Sequence, residues 1–264
     1  MWRFRYSHAA HFTLKCGRSL SHDSYQLPVV ALVCNFAQGE GGACLLSHGE
    51  VETLFHEFGH ALHSLLSRTD YQHLAGTRAA LDYVGTPSNL FEYFAWDPHF
   101  LHRFAGVPLA LVASMRRAKA MFAATDLQSQ VVYAMSDQAL FGPNPPTGRE
   151  TEAVLRDIQN EHSTVRHVEG THWQTRFSHL VGYGAGYYTY LYARCFAASI
   201  WQTHLAEDPL NAQAGAKLRD GMLRWGGAKD PAHLLHGMGA TRGDTGTPCA
   251  DDLFREMEER WQGS

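Results

Sequence analysis

A chain of 264 residues with 45% apolar content can bury a sizeable core, so a folded globular protein is expected. The 22 basic and 26 acidic side chains leave a net charge of −4 with no basic stripe interleaved with aromatics, which excludes the usual footprint of a nucleic-acid binder. The longest apolar run, Leu27 to Phe36, is broken by Asn35 and falls far short of the roughly 20 residues that cross a bilayer, so no membrane span is expected. Cys16, Cys34, Cys44, Cys195 and Cys249 are scattered and odd in number, without a Cys-x-x-Cys pair. That pattern fits a reducing compartment better than a disulfide framework.

In chain order, the first 22 residues carry Arg3, Arg5, Lys15 and Arg18 with no acid before Asp23, a trait of mitochondrial presequences. Against that, Met1 to His8 has no helical apolar face and His11 to Lys15 alternates like a strand, which reads as the abrupt start of a fragment. A second strand is expected over 28–36, dense in β-branched residues, after a turn-rich stretch from Ser19 to Ser24. From Glu50 to Leu66 the residues Val51, Leu54, Phe55, Phe58, Leu62 and Leu65 recur at spacings of three and four, predicting an amphipathic helix packed on a core. Further helical periodicity runs over 88–104, 108–141, 150–162, 174–206, 209–224 and 250–262, with breaks at Pro143 to Pro146 and Gly237 to Gly239. The expected fold is mainly α with a small β-sheet near the N-terminus (about 10–37, helical from 50 onward), in a single domain over 1–264. No internal repeat or low-complexity linker divides it.

The helix over 50–66 contains Phe55-His56-Glu57-Phe58-Gly59-His60. Residues four apart share a helical face, so His56 and His60 can both aim a ring nitrogen at one cation about 2 Å away, with one zinc ion as the expected metal. Glu57 is then placed to take a proton from an acidified water, the chemistry of zinc peptidases. The competing reading is coincidence in a chain with 17 histidines, and the strongly periodic helix argues against it. Gly59 permits a backbone to approach closely. His63, one turn on, reads either as a partner to the ligands or as a buried core histidine.

The stretch from Phe55 to Trp96, with His56 to His63, Gly76-Thr77-Arg78 and Pro87-Ser88-Asn89, resembles the thimet oligopeptidase family of metallopeptidases. Tyr25 to Val30, Arg68 to His73, Glu92 to Ala95 and Phe177 to Tyr183 extend the resemblance, which runs from about Ala10 to Gly239 and is closest to the family's mitochondrial branch. The resemblance implies the zincin-like catalytic half of a longer peptidase whose N-terminal half, absent here, faces it across a peptide-sized channel. It further implies an extended peptide or precursor N-terminus as substrate, octapeptide removal in the mitochondrial matrix, and a strand over 28–36 that pairs with substrate. Degradation of peptides in an organelle or the cytosol stays open as an alternative.

The family's third zinc ligand is a glutamate in a segment that here reads Asp82-Tyr83-Val84-Gly85-Thr86-Pro87-Ser88, so Gly85 leaves the ligand set incomplete. Asp82 lies one turn before Gly85 on the same helical face and is the nearer substitute. Glu92 matches a family acid better suited to orienting a histidine. Gly85 also admits a reading as a peptide binder that does not cut. In His179 to Tyr190, the resemblance implies that Tyr187 and Tyr190 steady the oxyanion while His179 and Tyr183 contact substrate. By spacing alone, those tyrosines read equally as an aromatic core stripe, although Gly182, Gly184 and Gly186 suit a mobile loop better than a core helix.

Overall fold

The computed structural model describes residues 9–21, 23–36, 45–148, 150–243 and 246–262, with side chains up to 258. Arg3, Arg5, Cys44 and the expected start at Met1 to His8 lie outside the described residues. The described part is mostly helical, and its short strands all precede the first helix.

Strand β1 (Ala10–Lys15) pairs antiparallel with β4 (Val29–Val33), joining the two runs that alternation and β-branching single out. Between them the turn-rich stretch closes a second antiparallel pair, β2 (Arg18–Ser21) and β3 (Ser24–Gln26). These short strands escape a reading by composition because Ser-rich polar residues signal turns, and three to four residues carry too little periodicity. Among the described residues β4 has one paired edge, against β1.

Helix α1 (His48–Leu66) begins at a capping box: the Ser47 hydroxyl accepts from the Glu50 backbone N–H while the Glu50 carboxylate accepts from the Ser47 N–H at 2.8 Å. Its fully buried residues are Gly59, Ala61, His63 and Ser64, not the apolar stripe, and Phe58 is 44% exposed. The reason is the way α1 is flanked, by β1 and β4 and by the segment after residue 81, which together cover its small and polar face.

After the short α2 (Leu81–Val84), the expected helix over 88–104 is divided into α3 (Thr86–Glu92), a 3-10 turn (Tyr93–Trp96) and α4 (Pro98–Ala105). Pro98 and the Asp97 cap, which accepts from the Phe100 N–H at 2.7 Å, restart the helix there. Helices α5 (Leu109–Phe141) and α6 (Glu150–His162) follow the sequence pattern closely. The run over 174–206 is interrupted: a 3-10 turn (Trp173–Arg176) and α7 (His179–Gly182) precede α8 (Tyr188–His204), because Ala185 takes a left-handed conformation (φ 62°). Helices α9 (Ala212–Gly221), α10 (Pro231–Gly237) and α11 (Asp251–Gln262) complete the order, α10 being one that apolar periodicity did not reveal.

The core gathers on α8, where Phe196, Ala197, Ile200 and Trp201 pack with Tyr83 and Leu90 from α2 and α3 and with Leu218, Met222, Leu234 and Met238. Among the described residues no helix is long and apolar enough to cross a membrane.

Candidate active site

Gly59 brings the two sides of the site together. A Cβ there would lie 2.7 Å from the Pro87 carbonyl oxygen and 2.7 Å from Ser88 Cα, so only glycine lets α1 and α3 cross this closely. On α1 the rings of His56 and His60 stand 5.1 Å apart at 81°, one turn from each other. Across the crossing, Glu92 Oε1 lies 2.5 Å from His56 Nδ1, which leaves the other ring nitrogen free to act as a donor. Burial lowers the His56 pKa, but the hydrogen bond and charge of Glu92 outweigh it and raise it overall. His60 goes the other way, to about 3, through burial and the neighbouring His56, His11 and His63, so its imidazole is neutral near pH 7, as a metal donor must be. Glu57 sits close enough to Cys34, beyond the end of β4, for its charge to add to burial in raising that thiol's pKa. This sets the carboxylate beside the strand with the open edge.

His63 is fully buried against Tyr83, with ring centroids 5.7 Å apart, and neither ring nitrogen has a hydrogen-bond partner among the described residues. It is a core histidine, held neutral by burial and by His11, with its pKa lowered to about 4. Protons therefore bind the unfolded chain first, and the stability present above pH 6.5 is lost as pH falls toward 4. Between pH 7.5 and 5 His63 alone is expected to cost about 2 kcal/mol. Urea unfolding at both pH values should show this loss, and His63→Leu should remove that part of it.

The second half of the site comes from more than 120 residues downstream. His179 is surrounded by Tyr183, Tyr187 and Tyr190 at ring-centroid distances of 5.9, 5.6 and 5.7 Å. His56, Asn89, Glu92, His179, Tyr187 and Tyr190 line one cleft of about 760 Å³. Tyr183 and Tyr190 are 47% and 39% exposed, whereas Tyr187 is buried and its hydroxyl donates to Gln130 Oε1 at 2.8 Å. Burial, with Tyr190 and Tyr133 nearby, pushes the Tyr187 phenol up to about 12. Burial and Tyr183 raise that of Tyr190 as well, so both remain protonated donors at neutral pH. Of the two, only the Tyr187 hydroxyl has an acceptor among the described residues, so the phenol left to face the cleft is that of Tyr190.

Sequence reasoning missed the wall contributed by α5, where Asp126, Ser129, Gln130 and Tyr133 share one helical face. It also missed Lys119, which pairs with Glu52 and lies 4.2 Å over the Trp96 ring. The only available signal was a polar strip at spacings of three and four, one of several polar stretches on this helix.

The donor set does not fit a three-ligand zinc site. His56 and His60 qualify, but among the described residues no group of three or more His, Cys, Asp or Glu could hold a metal ion. Asp82 lies near Tyr188, whose pKa its charge helps to raise; like Glu57, His60 and Tyr183, it is not among the residues lining the cleft with His56. Gly85 itself has an ordinary helical backbone (φ −79°, ψ −12°), so nothing in the local conformation demands glycine.

The model for "Peptidase family M3" matches residues 3–247. The chain is 54% identical over 239 residues to a mitochondrial intermediate peptidase of Arabidopsis thaliana, covering 88% of this chain and 34% of that protein. It is 42% identical over 236 residues to the Homo sapiens protein of that name, covering 86% of this chain and 33% of the relative. The chain thus spans about a third of the length of these relatives. Among solved structures, an oligoendopeptidase F described as putative aligns with a TM-score of 0.62 at 22% identity, over 83% of this chain and 38% of that one. PZ peptidase A with an inhibitor aligns at 0.58 and 17%, over 80% and 37%; both likenesses speak for the fold alone. With a family model matching nearly its whole length, this chain belongs to peptidase family M3.

Proposed function

We propose that the chain is the peptide-binding catalytic half of a mitochondrial-intermediate-peptidase-like endopeptidase that trims an octapeptide from imported precursors in the mitochondrial matrix. The observation that carries this is the single cleft in which His56 and Glu92 meet His179, Tyr187 and Tyr190 from a distant segment. The name of its relatives, mitochondrial intermediate peptidase, supports a peptide substrate and a mitochondrial setting.

An extended peptide lies against the edge of β4 that is unpaired among the described residues, where backbone N–H and C=O groups supply strand-like pairing. His179 and Tyr183 contact its backbone, and Glu57 is the base that takes a proton from the attacking water. Tyr190 donates to the carbonyl oxygen as it gains negative charge, an interaction worth about 3 kcal/mol in a water-excluded site. Of the family's zinc ligands, this chain would supply His56 and His60.

A fluorescent peptide copied from a precursor N-terminus should bind the chain saturably and lose at least ~10-fold in affinity on Tyr190→Ala, the scale of losing a partly buried contact. Absence of saturable binding would sink the proposal. Binding by Gly85-containing chain without turnover would favour the non-cutting peptide binder over the enzyme.

A further inference from the structure

Asp137 is 1% exposed at the C-terminal end of α5, and among the described residues it forms no ion pair with a cation. Burying a carboxyl without a counter-charge is costly unless hydrogen bonds compensate it, so such a group is a feature to be explained. Its two oxygens accept from two backbone donors of one short loop: Oδ1 from the Ala185 N–H at 3.0 Å and Oδ2 from the Tyr187 N–H at 2.9 Å. The next residue on α5, Gln138, donates through Nε2 to the Ala185 carbonyl at 3.0 Å. Both peptide groups of Ala185 are therefore gripped from α5, and Ala185 is the described non-glycine residue with positive φ. A left-handed alanine persists only where its surroundings over-determine it.

Tyr187 is held a second time, at the far end of its side chain. Gln130, which accepts the Tyr187 hydroxyl, precedes Asp137 by seven residues, two turns or roughly 10 Å along the same face of α5. One helix thus fixes the backbone nitrogen of Tyr187 and its phenol oxygen together. The Tyr187 ring in turn packs against His179 at 5.6 Å and Tyr190 at 5.1 Å, the two groups that face the cleft.

We propose that Asp137 is a positioning residue: with Gln138 and Gln130 it clamps the loop over 183–187 to α5, and through Tyr187 it sets where His179 and Tyr190 meet a peptide. This rests on the peptide-cleft reading above. It narrows any loop closure to residues before Ala185, since Ala185 and Tyr187 are tied to the helix.

The test compares the wild-type chain with Asp137→Asn, which keeps the shape but replaces one acceptor by a donor facing an N–H. Single-amide hydrogen exchange and affinity for the fluorescent precursor peptide are measured on both. The expected result is that the Ala185 and Tyr187 amides exchange at least ~10-fold faster in the variant while amides of α1 and of α8 beyond Ala193 do not change, and that peptide affinity drops about 10-fold. Adding Ala185→Gly, which adopts positive φ without strain, should recover part of that affinity. A purely structural Asp137 would lower the unfolding midpoint and leave peptide affinity untouched, and that result overturns the proposal, as do unchanged exchange rates. Should Asp137→Asn fail to fold, Gln138→Met and Gln130→Met each remove one bond of the clamp, and about 3-fold losses in affinity are expected, with no loss overturning it. No binding by the wild-type chain would instead refute the cleft reading, and the exchange rates alone would then decide whether the clamp exists.

Discussion

Gly85→Glu is expected to raise retained zinc from well below one to about one ion per chain, measured by elemental analysis after metal loading and dialysis. Gly85, Asn89 and Glu92 follow one another at intervals of four and three residues, so they share a helical face, and Glu92 on that face already reaches His56. The backbone at 85 accepts any residue. An added Cβ would meet Ala193 Cβ at 3.2 Å, which a shift of a few tenths of an ångström relieves, and Asn89 Nδ2 at an ordinary 3.7 Å. Two imidazoles alone leave a site one protein ligand short of the catalytic zinc pattern, whereas a carboxylate at 85 supplies the third donor. Gly85→Gln, similar in shape but uncharged, is the control and should retain less metal than the glutamate variant. In the Gly85→Glu chain, a further Glu57→Gln change should lower kcat for a precursor peptide by at least ~100-fold, as removal of a general base does, with peptide affinity kept. About one zinc per chain in both the glycine and the glutamate proteins would show that another group completes the site.

Gly59→Ala should be the most damaging small change in α1. The new methyl would press on the Pro87 carbonyl oxygen and Ser88 Cα, both backbone atoms that cannot swing aside as a side chain would. Overpacking costs typically 1–3 kcal/mol, and two backbone atoms at 2.7 Å place this case near the upper end; after the roughly 1 kcal/mol by which alanine favours a helix over glycine, a net loss of about 2 kcal/mol is expected. For a chain of this size that corresponds to a fall of about 4–8 °C in Tm. The separation of α1 from α3 also pulls Glu92 from His56, so zinc retention in the Gly85→Glu background should fall with it. Gly49→Ala in the same helix, where a Cβ meets nothing within 4 Å, is expected to leave Tm unchanged or slightly raised. Equal losses at 49 and 59 would show that the close crossing is not what Gly59 provides.

Much of the site was legible before any coordinates. The His56, Glu57 and His60 spacing is a local property of one helix turn, so a helical period is enough to place all three. The relation of Glu92 to His56 was readable as well, because the segment resembles a family motif, and the hydrogen bond at 2.5 Å agrees with it. The restart at Pro98 was missed: the apolar spacing over 88–104 runs through it, although Asp97 followed by a proline is a local start signal. The division of 174–206 was legible only in part: Gly182, Gly184 and Gly186 hinted at a loop, but the aromatic spacing continues through Ala185 and gives no sign that this residue turns left-handed. Nor was the role of Tyr187 separable from that of Tyr190, because both recur at helical spacing and both lie in the same motif.

The sequence by itself determined the mainly helical class and the zinc-type histidine pair, because each depends on residue type and on spacing along one element; that a donor is missing at Gly85 was legible only through the resemblance to the family motif. Only the tertiary structure decided that the apolar stripe of α1 is half-covered while His63 is sealed in, since burial depends on what packs against a helix from elsewhere in the chain. It alone decided that the hydroxyl of Tyr187 is taken by Gln130 while that of Tyr190 is left facing the cleft. Asp137 reaches the loop it holds across 48 and 50 positions of sequence, a separation at which no local pattern survives and only the docking of α5 against the start of α8 brings donor and acceptor together.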